Sequence, residues 1–82
     1  MPTVDAEMVT VPLVLRNVRS KTVTLVLEPW GEEHSLEPGS EIRLVFSGPP
    51  GDSPLVEWSE DCVTAYGWSG STFRLFRDGI EL

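Results

Sequence analysis

Pro54-Leu55-Val56-Glu57-Trp58-Ser59-Glu60-Asp61-Cys62-Val63-Thr64-Ala65-Tyr66 is the stretch on which the fold class turns. Read as a helix, it has Ser53 as cap and Pro54 at the first helical position, with Leu55, Trp58, Cys62, Ala65 and Tyr66 on one face. Read as a hairpin, Val56 and Trp58 alternate with Glu57 and Ser59, and Glu60-Asp61 makes the turn. Residues 62–66 then return with Val63, Thr64 and Tyr66 as strand formers. The hairpin is preferred because the chain on both sides of it is β. It predicts that Trp58 joins Val56 on a core face.

Working outward, the pattern is period two almost everywhere. Ile42, Leu44 and Phe46 face one way against Glu41, Arg43 and Ser47, which marks a half-buried strand. Val23, Leu25 and Leu27 alternate with Thr22, Thr24 and Val26, and Val9, Val11, Leu13 and Leu15 share one parity. Pro12 lacks an N–H, so the first strand belongs at a sheet edge or carries a bulge. A short strand is expected over Glu32–Leu36, and Pro38-Gly39 after it suits a type II turn. Beyond a proline- and glycine-rich loop at residues 48–54, residues 67–70 turn again into a strand over Thr72–Arg77. Asp78-Gly79 is a type I′ hairpin signal, with residues 80–82 as the return strand. Pro12, Arg74 and Arg77 are candidates for guarding strand edges against unwanted pairing.

These elements predict one all-β domain over residues 8–82, a small antiparallel β-sandwich or barrel of roughly six to eight short strands. Residues 1–7 form a polar, flexible lead-in. A chain of this length buries only about 60–65% of the surface its unfolded form exposes, so its core is modest.

Charge and cysteine usage bound the function. Thirteen acidic residues against six basic ones give a formal charge of −7. Such a chain repels nucleic acid and anionic membrane surfaces, while the charge favours solubility and can steer a basic partner. Cys62 is the lone cysteine and forms no internal disulfide. A reducing compartment is therefore expected, and with no basic or apolar leader and no membrane-spanning run the chain reads as cytoplasmic.

Three segments carry a resemblance. Glu28-Pro29-Trp30-Gly31-Glu32, Leu36-Glu37-Pro38-Gly39 and Tyr66-Gly67-Trp68-Ser69-Gly70-Ser71 together resemble small uncharacterised bacterial all-β proteins with no known function. The resemblance spans residues 13–82. It implies an all-β fold of immunoglobulin-like or cupredoxin-like topology, and no chemistry.

Residues able to do chemistry are few: one His, one Lys, one Cys and one Tyr. Cys62 with His34, oriented by Asp61, would make a minimal hydrolase if the two side chains met; a buried Cys62 and an exposed His34 are the plainer readings. A blue-copper site needs two histidines, and structural zinc needs paired cysteines, so neither set is complete. Glu32, Glu33 and Asp61 lack the spacing of a calcium loop. The expectation is thus no enzyme, no metal and no cofactor.

The tryptophans are the most informative residues. Trp30 and Trp68 each stand beside glycine in turns and are expected to cap one end of a sandwich. The acidic group Glu28, Glu32, Glu33 and His34, with Glu57, Glu60 and Asp61 nearby, is either a solvated face or a surface for a basic partner. Trp30, Glu32, Glu33, His34 and Trp68 are accordingly the candidate partner-binding residues of a non-catalytic module that binds a protein or a second copy of itself. The alternative, a small-ligand or sugar-binding domain, requires Trp30 and Trp68 exposed on one concave face.

Overall fold

The computed structural model describes residues 7–82. Of the expected lead-in only Glu7 lies among them, so its flexibility falls outside the described residues. Eight strands follow in order: β1 (Val9–Arg16), β2 (Val23–Glu28), β3 (Glu32–Leu36), β4 (Glu41–Gly48), β5 (Leu55–Trp58), β6 (Cys62–Tyr66), β7 (Thr72–Arg77) and β8 (Ile80–Glu81). They form two four-stranded sheets, β1-β4-β7-β8 and β3-β2-β6-β5, packed face to face as a β-sandwich.

The alternation in the sequence is the origin of the core. Val23, Leu25, Leu27, Val63 and Ala65 of one sheet meet Leu15, Ile42, Leu44, Phe46 and Leu75 of the other, all buried. Val9, Val11, Leu13, Val56 and Phe73 pack around them. Each of these residues holds the inward parity of its strand, which a one-residue slip in register would reverse. The deciding stretch is a hairpin: β5 and β6 pair antiparallel, Leu55 with Tyr66 and Trp58 with Val63. Ser59 N donates to Cys62 O across the turn at 2.8 Å. Asp78 and Gly79 both have positive φ, 53° and 80°, as a type I′ turn requires. Pro12 lies on β1, which is an edge of the first sheet.

Three expectations are corrected. Trp58 has the core parity of β5 but is 45% exposed, as the last residue of a strand that is a sheet edge. The Arg19 guanidinium covers its ring instead, 5.7 Å from the centroid. Arg77 guards no edge, since it is flanked by Ile42 of β4 and Ile80 of β8, whereas Arg74 stands on the part of β7 that the two-residue β8 does not pair. Arg74 lies over Phe76 and pairs with Glu81, and Arg77 donates to Ser35 O of β3 in the other sheet at 2.7 Å. Finally, the sandwich is antiparallel except for β2 and β6, which pair parallel, Thr24 with Cys62 through Glu28 with Tyr66.

That parallel pair decides the functional geography. β2 and β6 leave their sheet at the same end, so the turns that follow them lie side by side. The opposite end is closed by Asn17, which is fully buried. Its Nδ2 donates to Lys21 O and Leu36 O at 2.7 and 2.9 Å, and its Oδ1 accepts from Arg19 N.

Among the described residues, no helix is long and apolar enough to cross a membrane.

Candidate functional site

The turn after β2 is Pro29-Trp30-Gly31, and the turn after β6 is Gly67-Trp68-Ser69-Gly70. Gly67 N donates to Glu28 O at 2.8 Å, continuing the parallel ladder one step past the strands and joining the two turns directly. Between them lies a cleft of about 470 Å³, lined by Glu28, Pro29, Trp30, Tyr66, Gly67, Trp68, Ser69, Gly70 and Ser71. Two separated sequence segments thus build one concavity.

The two indoles play different parts in it. Trp68 is buried, 7% exposed, and its Nε1 donates to Pro49 O at 2.8 Å, fastening the proline-rich loop to this end. Ser71 closes the same turn. Its Oγ accepts from Trp68 N at 2.9 Å and donates to Trp68 O at 2.6 Å, so this hydroxyl is fully committed. Trp30 is 39% exposed and rests on the aromatic core, its ring centroid 4.6 Å from that of Phe73 and 6.4 Å from that of Phe46. Its Cη2 edge lies so close over Gly67 that a Cβ there would run into it. Glycine is what lets the ring lie down. Both tryptophans therefore do cap one end of the sandwich.

A sugar platform built on both indoles is not formed, because Trp68 is turned into the core and spends its N–H on Pro49. Only Trp30 offers a ring to a ligand. Tyr66 lines the cleft with its hydroxyl donating to Glu57 Oε1 at 2.9 Å. That hydrogen bond, together with partial desolvation and the charges of Glu57 and Glu28, holds the phenol pKa above its ordinary value. Tyr66 is therefore a neutral donor at physiological pH.

The remaining candidates part company. Glu32 and His34 share the inward side of β3 and bind each other, Nε2 to Oε2 at 2.6 Å. Glu33 stands on the outer side of the same strand, opposite Val26. None of the three lines the cleft, although Glu32 and Glu33 begin their strand at its end of the sandwich. His34 pairs with Leu25, whose side chain enters the core, whereas Cys62 pairs with Thr24 on the outer face. The two side chains thus point to opposite faces of one sheet, and the Cys62-His34 dyad does not assemble. Cys62 lies 3.7 Å from Thr64 Oγ1. Glu60 and Asp61 sit at the far end, where Lys21 pairs with Asp61 at 2.5 Å and holds its carboxyl below the usual range. They are thereby separated from Glu32 and Glu33, and among the described residues no group of three or more His, Cys, Asp or Glu is placed to hold a metal ion.

Sequence reasoning missed Tyr66, Gly67 and Ser69 as cleft residues, and named Glu28 only as part of the acidic group. All four stood inside the two segments already singled out, but only the parallel pairing brings those segments together. A second concavity, about 440 Å³, lies on the outer face of the first sheet among Glu41, Arg43, Val45, Phe76, Asp78 and Gly79. Its charges are mixed and the Phe76 ring already carries Arg74, so the end cleft is the better site.

Comparison with family models, with curated proteins and with solved structures gives no match.

Proposed function

We propose that the domain is a non-catalytic protein-binding module, working in a reducing cytoplasm, that receives its partner at the end cleft. The supporting observation is the convergence of the two aromatic turns on a concavity with one half-exposed indole, Trp30, held from behind by Phe46 and Phe73. A rigid aromatic with one free side is the kind of residue that anchors an interface. Of the cleft's hydroxyls, Ser71 is bonded to both backbone groups of Trp68 and Tyr66 donates to Glu57. The strongly acidic composition argues against nucleic acid and anionic membranes as partners.

The test is affinity capture from the lysate of its own organism with three baits: the native chain, Trp30→Leu and, as a control on the outer face, Val14→Ala. A protein retained by the native and Val14→Ala baits and lost with Trp30→Leu is the expected result. Identical retention by all three would place binding elsewhere.

A second reading, self-association, has its own observation. β5 is an edge strand with Leu55 and Trp58 57% and 45% exposed and no proline within it. The other edges are less open: β1 carries Pro12, β3 carries Glu32 and Glu33, and β8 has two residues. Pairing of β5 between two copies would appear as concentration-dependent dimerisation in sedimentation, abolished by Val56→Pro.

A further inference from the structure

The charge of the sandwich is distributed along its long direction. The segments that build the cleft end, residues 28–33, 48–54 and 66–72, contain Glu28, Glu32, Glu33 and Asp52 and no Lys or Arg. Arg16, Arg19, Lys21 and Arg77 lie at the opposite end, where Arg16 pairs with Glu41 at 2.7 Å and Lys21 with Asp61. Arg43 and Arg74 stand on the outer face of the first sheet, with Arg74 held by Glu81. Glu41 and Asp61 at the far end are thus paired with cations of the same chain, whereas among the described residues Glu28, Glu33 and Asp52 at the cleft end have no ion pair and Glu32 is held by His34 alone.

Within the cleft this field meets a ring. Glu28 and Tyr66, register partners at the end of the parallel pair, line the cleft together with Trp30, and the Tyr66 hydroxyl is tied to Glu57. A half-exposed indole in a cleft that also holds a carboxylate, built from segments without Lys or Arg, is complementary to a positively charged group and hostile to an anionic one. The molecule already uses this contact twice elsewhere, with Arg19 over Trp58 and Arg74 over Phe76. Trp30 is the large aromatic at the cleft with an exposed face and no cation of its own.

We infer that the cleft takes an arginine side chain from a basic segment of the partner protein, its guanidinium stacked on Trp30 and its charge set against Glu28. This rests on the protein-binding reading and names what that reading leaves open. A planar guanidinium can lie on the indole and still direct N–H groups sideways to a carboxylate, which the compact ammonium of lysine does less well.

The test is a titration of the ¹⁵N-labelled protein with a capped Arg-Gly repeat decapeptide, followed by amide and indole resonances. Parallel titrations use the same peptide with citrulline, which keeps the shape and loses the charge, or with lysine. Expected are saturable shifts at the Trp30 indole and the Gly67 and Ser69 amides, weaker binding with lysine and none with citrulline. Glu28→Gln and Trp30→Leu should each weaken binding about two- to fivefold, the range of an exposed ion pair or cation–π contact. Ser69→Lys, which places a cation at the rim without touching the core, should weaken it at least as much. Equal binding of the citrulline peptide, shifts centred away from the cleft, or no saturable shift would overturn the inference. If those results came while partner capture stayed sensitive to Trp30→Leu, the binding reading would stand and the cation would be wrong; loss of both would end both.

Discussion

Gly67→Ala is the substitution that most sharply probes how the site is built. A Cβ on residue 67 would run into the Trp30 Cη2 atom, stand 3.1 Å from Trp30 Cζ3 and lie 2.6 Å from Ser71 Oγ. These separations are inside the roughly 3.5–4.0 Å at which nonbonded carbon atoms are at ease. Ser71 Oγ cannot yield cheaply, because it is bonded to both backbone groups of Trp68. The ring must therefore lift. Trp30 is 39% exposed, so about three-fifths of its surface is covered. Uncovering all of it would forfeit at most about 4 kcal/mol at the usual apolar coefficient. A partial lift falls within the overpacking range of about 1–3 kcal/mol, and we expect roughly 2. For a domain of this length that corresponds to a fall in Tm of roughly 8–16 °C.

Urea unfolding followed by far-ultraviolet circular dichroism measures it, as a shift in midpoint at constant slope. The decisive comparison repeats Gly67→Ala in a Trp30→Leu background, where the obstructing ring is gone. Its cost there should drop by about 1 kcal/mol or more, a coupling that only residues in contact show. A Gly67→Ala protein as stable as the native chain would refute the close approach. So would a cost that is the same in both backgrounds.

Other outcomes follow from the same geometry. Gly48→Ala should cost roughly 3 kcal/mol, at the upper end of the overpacking range, because its Cβ would lie 2.8 Å from Ser71 Cα, a backbone atom, and 2.9 Å from Trp68 Cε2; thermal unfolding would show it. Asn17→Ala should destabilise by about 2–3 kcal/mol, since it strands the carbonyls of Lys21 and Leu36 and the amide of Arg19, and urea titration reads this directly. Tyr66, the single tyrosine, should ionise later than a free phenol when absorbance near 295 nm is followed up the alkaline range. Its folded pKa is raised, chiefly by the hydrogen bond to Glu57, so the stability it adds is complete below the ordinary phenol pKa and is lost as pH climbs through the folded value. Glu57→Gln should move the titration back toward the ordinary range; an unchanged curve would count against the bond.

The legibility of this molecule follows the range of the interactions involved. Strands with one buried face are visible in sequence because the period-two pattern is local, and β2, β4 and β6 show it in Leu25, Leu44 and Val63. Turns with demanding backbone angles, such as Asp78-Gly79, are visible for the same reason. Pairing direction is not local. Nothing in Val23-Thr24-Leu25-Val26-Leu27 says that β6 lies beside it in parallel, and that pairing is what unites Trp30 with Gly67 and Ser69. Exposure at a strand end is equally hidden: Trp58 has the parity of a core residue, and its place at the end of an edge strand leaves it half exposed. His34 and Cys62 look like a possible pair in a list of residue types, yet their registers opposite Leu25 and Thr24 put them on different faces.

The central claim, that the cleft beside Trp30 is where this domain meets its partner, is tested most directly by photo-cross-linking in the living cell. Benzoylphenylalanine placed at position 30 keeps an aromatic ring at the cleft, and the same group at Val14 reports on the outer face of the opposite sheet. The account predicts a discrete light-dependent adduct from position 30, absent from position 14. An adduct from position 14 alone, or equal labelling from both, would contradict it.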